Sequence, residues 1–162
     1  GLKPRLARSG LSNVYPVQIA HERDDRIKRL AGKIDRVLVD APCSGLGTLR
    51  RSPDLKWRQT PETVARFALG QAAILAGAAR LTKPGGRLVY ATCSLLRQEN
   101  EVIAEAFSAE QAGKFRPLPA VDALRRAQVN NADALVHGPY LRLWPHRHGT
   151  DAFFAAAWER IG

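Results

Sequence analysis

Several features are scarce in this 162-residue chain, and each absence excludes a class of protein. The chain has two cysteines, Cys43 and Cys93, and no CxxC spacing, which excludes a disulfide framework and a zinc ribbon. It has no apolar run near the roughly 20 residues that span a bilayer, and its first residues lack the apolar core of a signal peptide. We therefore expect a soluble, cytoplasmic protein with no membrane partner and no metal. His146 and His148 alternate in one turn, but they lack the further ligands that a metal site needs.

Acidic residues are also scarce relative to basic ones. The 25 lysines and arginines outnumber the 15 aspartates and glutamates, so the formal net charge is +10. A positive charge favours polyanionic partners such as nucleic acid, because neutralised phosphates release counterions. A merely basic soluble domain explains the charge equally well. Hydrophobic residues form 45% of the chain, enough for one domain over residues 1–162 with a sizeable core.

The first half of the chain has the pattern of a strand, a helix and a second strand. The helix begins with Thr60, a favoured N-cap residue, and with Pro61 at its first position. Strand, helix and strand in this order predict a parallel, right-handed βαβ unit. The expected ranges are 33–40 for the first strand, 60–82 for the helix and 87–92 for the second strand.

The remaining segments predict smaller elements around this unit. A basic helix at 2–10 and a strand at 14–20 precede it, and a helix at 96–111, an irregular segment at 115–134 and paired strands at 140–144 and 151–158 follow it. In the helix at 96–111, the packing face is expected to consist of Val102, Ile103, Ala106 and Phe107. Glu99 and Glu101 lie near its amino end, where the helix dipole favours acids.

Both cysteines follow a predicted strand at its carboxyl end. Ligands of open parallel sheets bind beyond these ends, so Cys43 and Cys93 are expected to face one crevice. A single cysteine in a reducing compartment is more often a small buried hydrophobic residue. Two strand-end loops that each hold a cysteine followed by a serine favour a functional interpretation.

These loops carry a family resemblance. Asp40-Ala41-Pro42-Cys43-Ser44-Gly45 and Tyr90-Ala91-Thr92-Cys93-Ser94 resemble motifs four and six of the NOL1/NOP2/Sun family of RNA cytosine-C5 methyltransferases. Residues 141–154 resemble the terminal hairpin of the same family, so the resemblance covers nearly the whole chain. Within the family, the chain resembles in particular the bacterial members of the RsmB type, which act on 16S ribosomal RNA.

The resemblance implies a chemistry in which a thiolate adds to C6 of cytosine and later leaves. It implies that Cys93 is the nucleophile and that Cys43 helps to resolve the adduct; the chemistry alone does not choose between the two thiols. It places Asp40 and Pro42 against the cofactor S-adenosylmethionine, with Asp40 also near the target base. A turn-capping role explains Asp40 equally well. The implied partner is RNA, namely 16S ribosomal RNA.

The resemblance also implies that residues 1–162 are the C-terminal portion of a single S-adenosylmethionine-dependent methyltransferase domain, and therefore that the sheet is incomplete. The expected fold is α/β, a Rossmann-like class I methyltransferase sheet without its first two strands and glycine-rich loop, ending in an antiparallel hairpin. Because these strands form the middle of the family's sheet, the strand at 33–40 is expected to expose an edge. We expect residues 1–162 alone not to methylate RNA.

A basic cluster follows the first cysteine loop, and its members are Arg50, Arg51, Lys56, Trp57 and Arg58. Cations next to an aromatic residue suit phosphate contact and base stacking. The alternative is a solvated loop in which Trp57 packs inward.

Two other functions remain open. The chain could be an RNA-binding or scaffold module without catalysis, in which the charge is what matters and the cysteines are relics. It could also be a thiol hydrolase or oxidoreductase, which ranks last because no histidine flanks either cysteine.

Overall fold

The computed structural model describes residues 2–162, without the side chain of Lys3. Its helices are α1 (Leu2–Ser9), α2 (Asp25–Lys28), α3 (Leu55–Arg58), α4 (Pro61–Ala79), α5 (Glu101–Glu110), α6 (Ala120–Arg126) and α7 (Pro145–His148). Its strands are β1 (Ile34–Asp40), β2 (Thr82–Thr92), β3 (Phe115–Leu118), β4 (Val136–His137), β5 (Tyr140–Leu143) and β6 (Phe153–Arg160). Short 3₁₀ turns occupy Leu46–Thr48, Arg97–Glu99 and Ala132–Leu135.

The six strands form one sheet in the order β1-β2-β6-β5-β4, with β3 paired to β6. Strands β1 and β2 are parallel, with Asp40 beside Ala91, and α4 connects them. The β2–β6, β3–β6, β5–β6 and β4–β5 pairs are antiparallel. The α/β class, the incomplete Rossmann-like sheet and the terminal antiparallel hairpin are therefore confirmed.

The core lies where α4 and α5 pack on the sheet. Helix α4 starts as predicted, because the Thr60 side chain accepts the N–H of Thr63. Alternation along β6 buries Phe154 and Trp158, and Trp158 packs edge-on against Phe107 of α5, with ring centroids 4.8 Å apart. This contact packs α5 against β6, while the parallel pairing of β1 with β2 sets the separation of their carboxyl ends.

The β1 edge is exposed, as expected for a sheet without its central strands. Strand β1 ends the sheet, and the Leu38 side chain is 68% exposed. The strand predicted at 14–20 is wrong, since this stretch is exposed and has no strand structure. Strands need a neighbouring backbone to satisfy their N–H and C=O groups, and within residues 2–162 no strand pairs with this stretch.

Three local predictions also differ from the structure. Strand β2 begins at Thr82 and not at residue 87, because Thr82 already pairs with Ile34 of β1. The turn predicted at 83–86 lies within β2, where the register of the two strands shifts. The segment at 115–134 is not irregular throughout, because pairing with β6 creates β3 and α6 follows it. On α5 the buried face includes Ile103 and Phe107 as predicted, but Val102 and Ala106 are exposed. Within residues 2–162, no helix is both long and apolar enough to cross a membrane.

Candidate active site

The two cysteines meet at the carboxyl ends of β1 and β2. Residues 41–47, hereafter the Cys43 loop, follow β1, and residues 93–96, hereafter the Cys93 loop, follow β2. The Sγ atoms of Cys43 and Cys93 lie 3.5 Å apart, and both side chains are partly exposed. The crevice expected from the strand order therefore brings two thiols into contact.

The contact between the thiols affects their ionisation in opposite directions. A hydrogen bond from Cys43 lowers the pKa of Cys93 to about 7, although burial and the nearby carboxylates of Asp40 and Glu99 oppose this. The same hydrogen bond, together with burial, raises the pKa of Cys43 well above its usual range. At neutral pH, Cys93 is thus partly thiolate, while Cys43 stays protonated as the donor.

Gly47 allows the two loops to approach. Its backbone N–H donates to the carbonyl of Cys93 at 2.8 Å, and its own carbonyl accepts the N–H of Ala152 at 3.0 Å. A Cβ atom at Gly47 would lie 2.4 Å from the Cys93 carbonyl oxygen and 2.9 Å from the Ala152 side chain. Only glycine fits between the Cys93 loop and the start of β6.

A buried carboxylate joins the two loops beneath the thiols. Glu99 is fully buried and accepts the Ser44 N–H at 2.8 Å, the Ser44 hydroxyl at 2.6 Å and the Ser94 hydroxyl. Gln71 of α4 donates to Glu99 at 3.1 Å and to the carbonyl of Pro42 at 2.9 Å. The sequence predicts only a helix-end role for Glu99, because polar residues such as those at 98–100 usually face water at the start of a helix. The only sequence feature that could have indicated this buried site is the serine that follows each cysteine.

The Cys93 loop has further buried polar support. Asn100 accepts the Thr92 hydroxyl at 2.5 Å and donates to the carbonyl of Ser94 at 2.9 Å. The Arg142 side chain, 1% exposed, donates to the carbonyl of Leu95 at 2.8 Å and lies 3.5 Å from a carboxylate oxygen of Glu101. Glu101, the other acidic residue predicted to lie at the helix end, is therefore also buried. These contacts fix the backbone that carries Cys93.

Asp40 and Pro42 are exposed at the carboxyl end of β1. Asp40 is close enough to Cys93 for its charge to oppose thiol ionisation. An exposed carboxylate can accept hydrogen bonds from an amino or hydroxyl group, and an exposed proline ring offers an apolar surface. These two side chains fit part of a cofactor with an amino acid end and an aromatic base.

The basic segment, residues 50–58, covers α3 and the turn before it. Trp57 is 80% exposed, so the alternative in which it packs inward is wrong. The Lys56 ammonium lies over the Trp57 ring, 4.9 Å from the ring centroid. Arg51 pairs with Asp151 and Arg58 with Asp54, the latter at 3.1 Å. Arg50 donates to the carbonyl of Gly149 at 3.3 Å. The cluster is solvated, and three of its four cations already have a polar partner within the chain.

A groove of about 490 Å³ separates the basic segment from the Cys93 loop. Apolar side chains of both loops and α4 line it, with Lys56 and Gln59 on one wall. The Gln59 amide donates to the carbonyl of Ser44 at 2.9 Å, so this wall is attached to the Cys43 loop. The groove is therefore lined by one residue of each cysteine loop, Leu46 and Leu96, and by Lys56 of the basic segment.

Metal ligands are not grouped anywhere in residues 2–162, as far as their side chains are described. The His148 ring nitrogens face the backbone of Trp144 and the carbonyl of Ala134. This histidine therefore holds the turn before β6.

Known proteins share this arrangement over most of the chain. The family model for the 16S rRNA methyltransferase RsmB/F matches residues 3–159. A Mycobacterium tuberculosis protein named only as a methyltransferase is 45% identical over 148 residues, which cover 85% of this chain and 29% of the relative. Ribosomal RNA small subunit methyltransferase B of Thermus thermophilus is 34% identical over 143 residues, covering 88% of this chain and 33% of the relative.

A solved structure agrees as well. NSun6 from Pyrococcus horikoshii with SFG superposes with a TM-score of 0.76 at 25% identity, covering 99% of this chain and 38% of NSun6. This chain thus spans about a third of the length of such relatives. The resemblance predicted from the two cysteine motifs is confirmed, and the chain belongs to the RsmB/F family of 16S rRNA methyltransferases, within the NOL1/NOP2/Sun group.

Proposed function

We propose that the protein methylates C5 of a cytosine in RNA, and that this RNA is 16S ribosomal RNA. Family membership supports methyl transfer to RNA. The observation that carries the covalent mechanism is the thiol pair, 3.5 Å apart, at the carboxyl ends of two parallel strands. Ribosomal RNA is a cytoplasmic substrate in bacteria, so we propose a cytoplasmic location.

Cys93 is the proposed nucleophile. C5 of cytosine is a poor nucleophile, and addition of the Cys93 thiolate to C6 transfers electron density to C5. The pKa of about 7 keeps a large fraction of Cys93 ionised at neutral pH. After methylation, a base removes the C5 proton and the C5–C6 double bond re-forms, which expels the Cys93 thiolate.

Cys43 is proposed to assist this expulsion. Its sulfur lies 3.5 Å from that of Cys93, and its raised pKa makes it the protonated partner that donates to Cys93. A donor at this position stabilises a leaving thiolate, because it offers a hydrogen bond as negative charge returns to the sulfur. Asp40 is proposed to accept a hydrogen bond from the edge of the cytosine or from the cofactor.

S-adenosylmethionine, when bound, supplies the methyl group. NSun6, a relative by fold and sequence, was solved with SFG, an analogue of this cofactor. In the present chain, Asp40 and Pro42 would hold part of it at the carboxyl end of β1.

The basic segment is the proposed RNA contact. Trp57 offers an exposed ring for base stacking, while Arg50, Arg51, Lys56 and Arg58 offer charges for phosphates. Arg51 and Arg58 form ion pairs with exposed side chains. Such pairs contribute little to the stability of the fold, so these arginines can contact phosphates instead.

The test is an adduct assay on the full-length protein. The protein is incubated with S-adenosylmethionine and RNA that contains 5-fluorocytosine, which cannot lose a C5 proton, and denaturation-resistant adducts are measured. We expect an adduct with the native protein and with Cys43→Ala, and none with Cys93→Ala. Loss only with Cys43→Ala would exchange the two roles.

A second candidate is an RNA-binding module without catalysis. The exposed Trp57 and the net charge of +10 favour RNA binding whether or not chemistry follows. This candidate predicts salt-sensitive RNA binding that Cys93→Ser leaves unchanged, together with no adduct in the assay above.

A further inference from the structure

We propose that Glu99 is a positioning residue that holds the two thiols in contact by tying together the serines that follow them. The proposal rests on the proposed function, because it concerns the placement of Cys43 and Cys93. Glu99 lies below the loops and touches neither sulfur through a hydrogen bond.

The first observation is which groups bond to the buried Glu99 carboxylate. It is fully buried, and within the described part of the chain no lysine, arginine or histidine forms an ion pair with it. Four neutral donors surround it instead: the Ser44 N–H, the Ser44 and Ser94 hydroxyls and the Gln71 amide. Hydrogen bonds to an ionised acceptor are about twice as strong as those between neutral groups.

The second observation is which elements these donors join. Ser44 belongs to the Cys43 loop and Ser94 to the Cys93 loop, and both hydroxyls donate to the same oxygen, Oε2. The hydroxyls are also 3.2 Å from each other. Each serine directly follows its cysteine in the chain, so one oxygen atom fixes the separation of both cysteine backbones.

The third observation is that Glu99 itself is held. The Tyr90 hydroxyl donates to the Glu99 carbonyl at 2.5 Å, and the Glu99 N–H donates to the Leu96 carbonyl at 3.2 Å. Gln71 links the other carboxylate oxygen, Oε1, to the Pro42 carbonyl. The carboxylate therefore sits on a rigid base and reaches the Cys43 loop on both sides of Cys43.

Fold stability alone does not explain a carboxylate at this position. Removing a charge from water costs free energy, and a protein with an apolar residue of similar size at such a position is often at least as stable. All four surrounding groups donate hydrogen bonds, whereas an amide offers only one acceptor oxygen and a nitrogen that cannot accept. Glutamine at position 99 would keep the shape but lose the hydrogen bonds at one of the two oxygen positions, either those of the Ser44 N–H and the Gln71 amide at Oε1 or those of the two serine hydroxyls at Oε2. The substitution would thus weaken the link between the loops.

The test measures alkylation of Cys93 by iodoacetamide as a function of pH in the full-length protein. The product is quantified on the tryptic peptide of residues 88–97, which contains Cys93 and no other cysteine. The native midpoint is expected near pH 7, because Cys43 donates to Cys93. The other charged groups that act on Cys93 are Asp40 and Glu99, and both raise its pKa.

The sign of the shift separates positioning from charge. Removing the negative charge of Glu99 would by itself lower the Cys93 midpoint. If Glu99→Gln instead releases the Cys43 contact, the midpoint rises, and a rise of one pH unit slows alkylation at pH 7 by about fivefold. In a Cys43→Ala background, Glu99→Gln should cause no rise, because the contact is already absent.

Two further variants complete the test. Ser108→Ala removes the partly buried hydrogen bond of 2.9 Å that the Trp158 indole donates to the Ser108 hydroxyl, distant from the loops, and should leave the midpoint unchanged. Ser94→Ala keeps the charge and loses one donor, so a smaller rise, about threefold in rate at pH 7, is expected even if Glu99→Gln does not fold. An unchanged or lower midpoint in Glu99→Gln, or in Ser94→Ala when the first variant does not fold, would overturn the proposal.

The adduct assay distinguishes failure of this proposal from failure of the proposed function. Native adduct formation with an unmoved midpoint in Glu99→Gln would remove only the positioning role. A raised midpoint without any native adduct would keep the positioning role and remove the methylation chemistry.

Discussion

The junction of the two cysteine loops and the basic segment lie on either side of one groove, yet their construction is opposite. At the junction, Glu99, Ser44 and Ser94 are fully or almost fully buried and bonded to one another. In the basic segment, Trp57 is 80% exposed, and the arginines make two ion pairs and one hydrogen bond to a carbonyl, all with exposed side chains. The difference teaches that the part suited to bond formation is rigid before a substrate arrives, whereas the part suited to phosphate contact can rearrange around one.

The largest expected effect is at the closest backbone contact of the junction. Gly47→Ala should lower the free energy of unfolding by about 3 kcal/mol, because its Cβ would meet a backbone carbonyl that cannot move aside. Urea unfolding of the full-length protein measures this. Gly70→Ala is the matched control, since its Cβ meets nothing within 4 Å on helix α4 and the change should stabilise by about 0.5 kcal/mol or more. Equal effects at both sites would show that the junction is not tightly packed.

The next effect concerns the thiols. Cys43→Ala removes the donor that lowers the pKa of Cys93 to about 7, so this pKa should rise towards its ordinary value of 9.0. A thiol is reactive above its pKa, so the native protein loses Cys93 reactivity as the pH falls through about 7. In Cys43→Ala this loss should occur at higher pH, and alkylation at pH 7 should slow more than tenfold. A profile identical to that of the native protein would mean that the two sulfurs do not share a proton.

A smaller effect is expected for a substitution in the basic segment, which should change RNA affinity and not the free energy of unfolding. Trp57→Ala should weaken RNA affinity by about 1–2 kcal/mol, because base stacking on an exposed ring is lost, while the unfolding free energy stays the same. Fluorescence anisotropy with a ribosomal RNA fragment measures the affinity. Leu69→Ala, a change at another exposed apolar side chain, should not alter RNA affinity. If both variants bind like the native protein, the basic segment is not an RNA surface.

The smallest effect is expected for an exposed ion pair of the same segment. Arg51→Ala should change the unfolding free energy by no more than about 0.5 kcal/mol, since Arg51 and Asp151 pair in a solvent-accessible place. The slope of RNA affinity against salt should decrease slightly if Arg51 contacts a phosphate. A loss above 1 kcal/mol in urea unfolding would contradict the view that this segment is loosely attached.

The sequence predicted the parallel βαβ unit well, because its signals are local. A β-branched run, an N-cap with proline and a second apolar run each report on their own backbone. Elements that depend on a distant partner were predicted poorly. Strand β3 exists because β6 lies beside it, and the segment at 14–20 has no strand because none within residues 2–162 pairs with it.

The sequence by itself determined the family, the order of strand, helix and strand in the βαβ unit, and the two thiols, since residue types and spacings carry these directly. Only the tertiary structure decided that the sulfurs touch, that Gly47 must lack a side chain and that Glu99 is buried between two serines. The physical reason is that Glu99 is 55 residues from Ser44 in the chain and its partners are all neutral. A charge pattern cannot reveal such a link, because it forms only when β1 and β2 lie side by side.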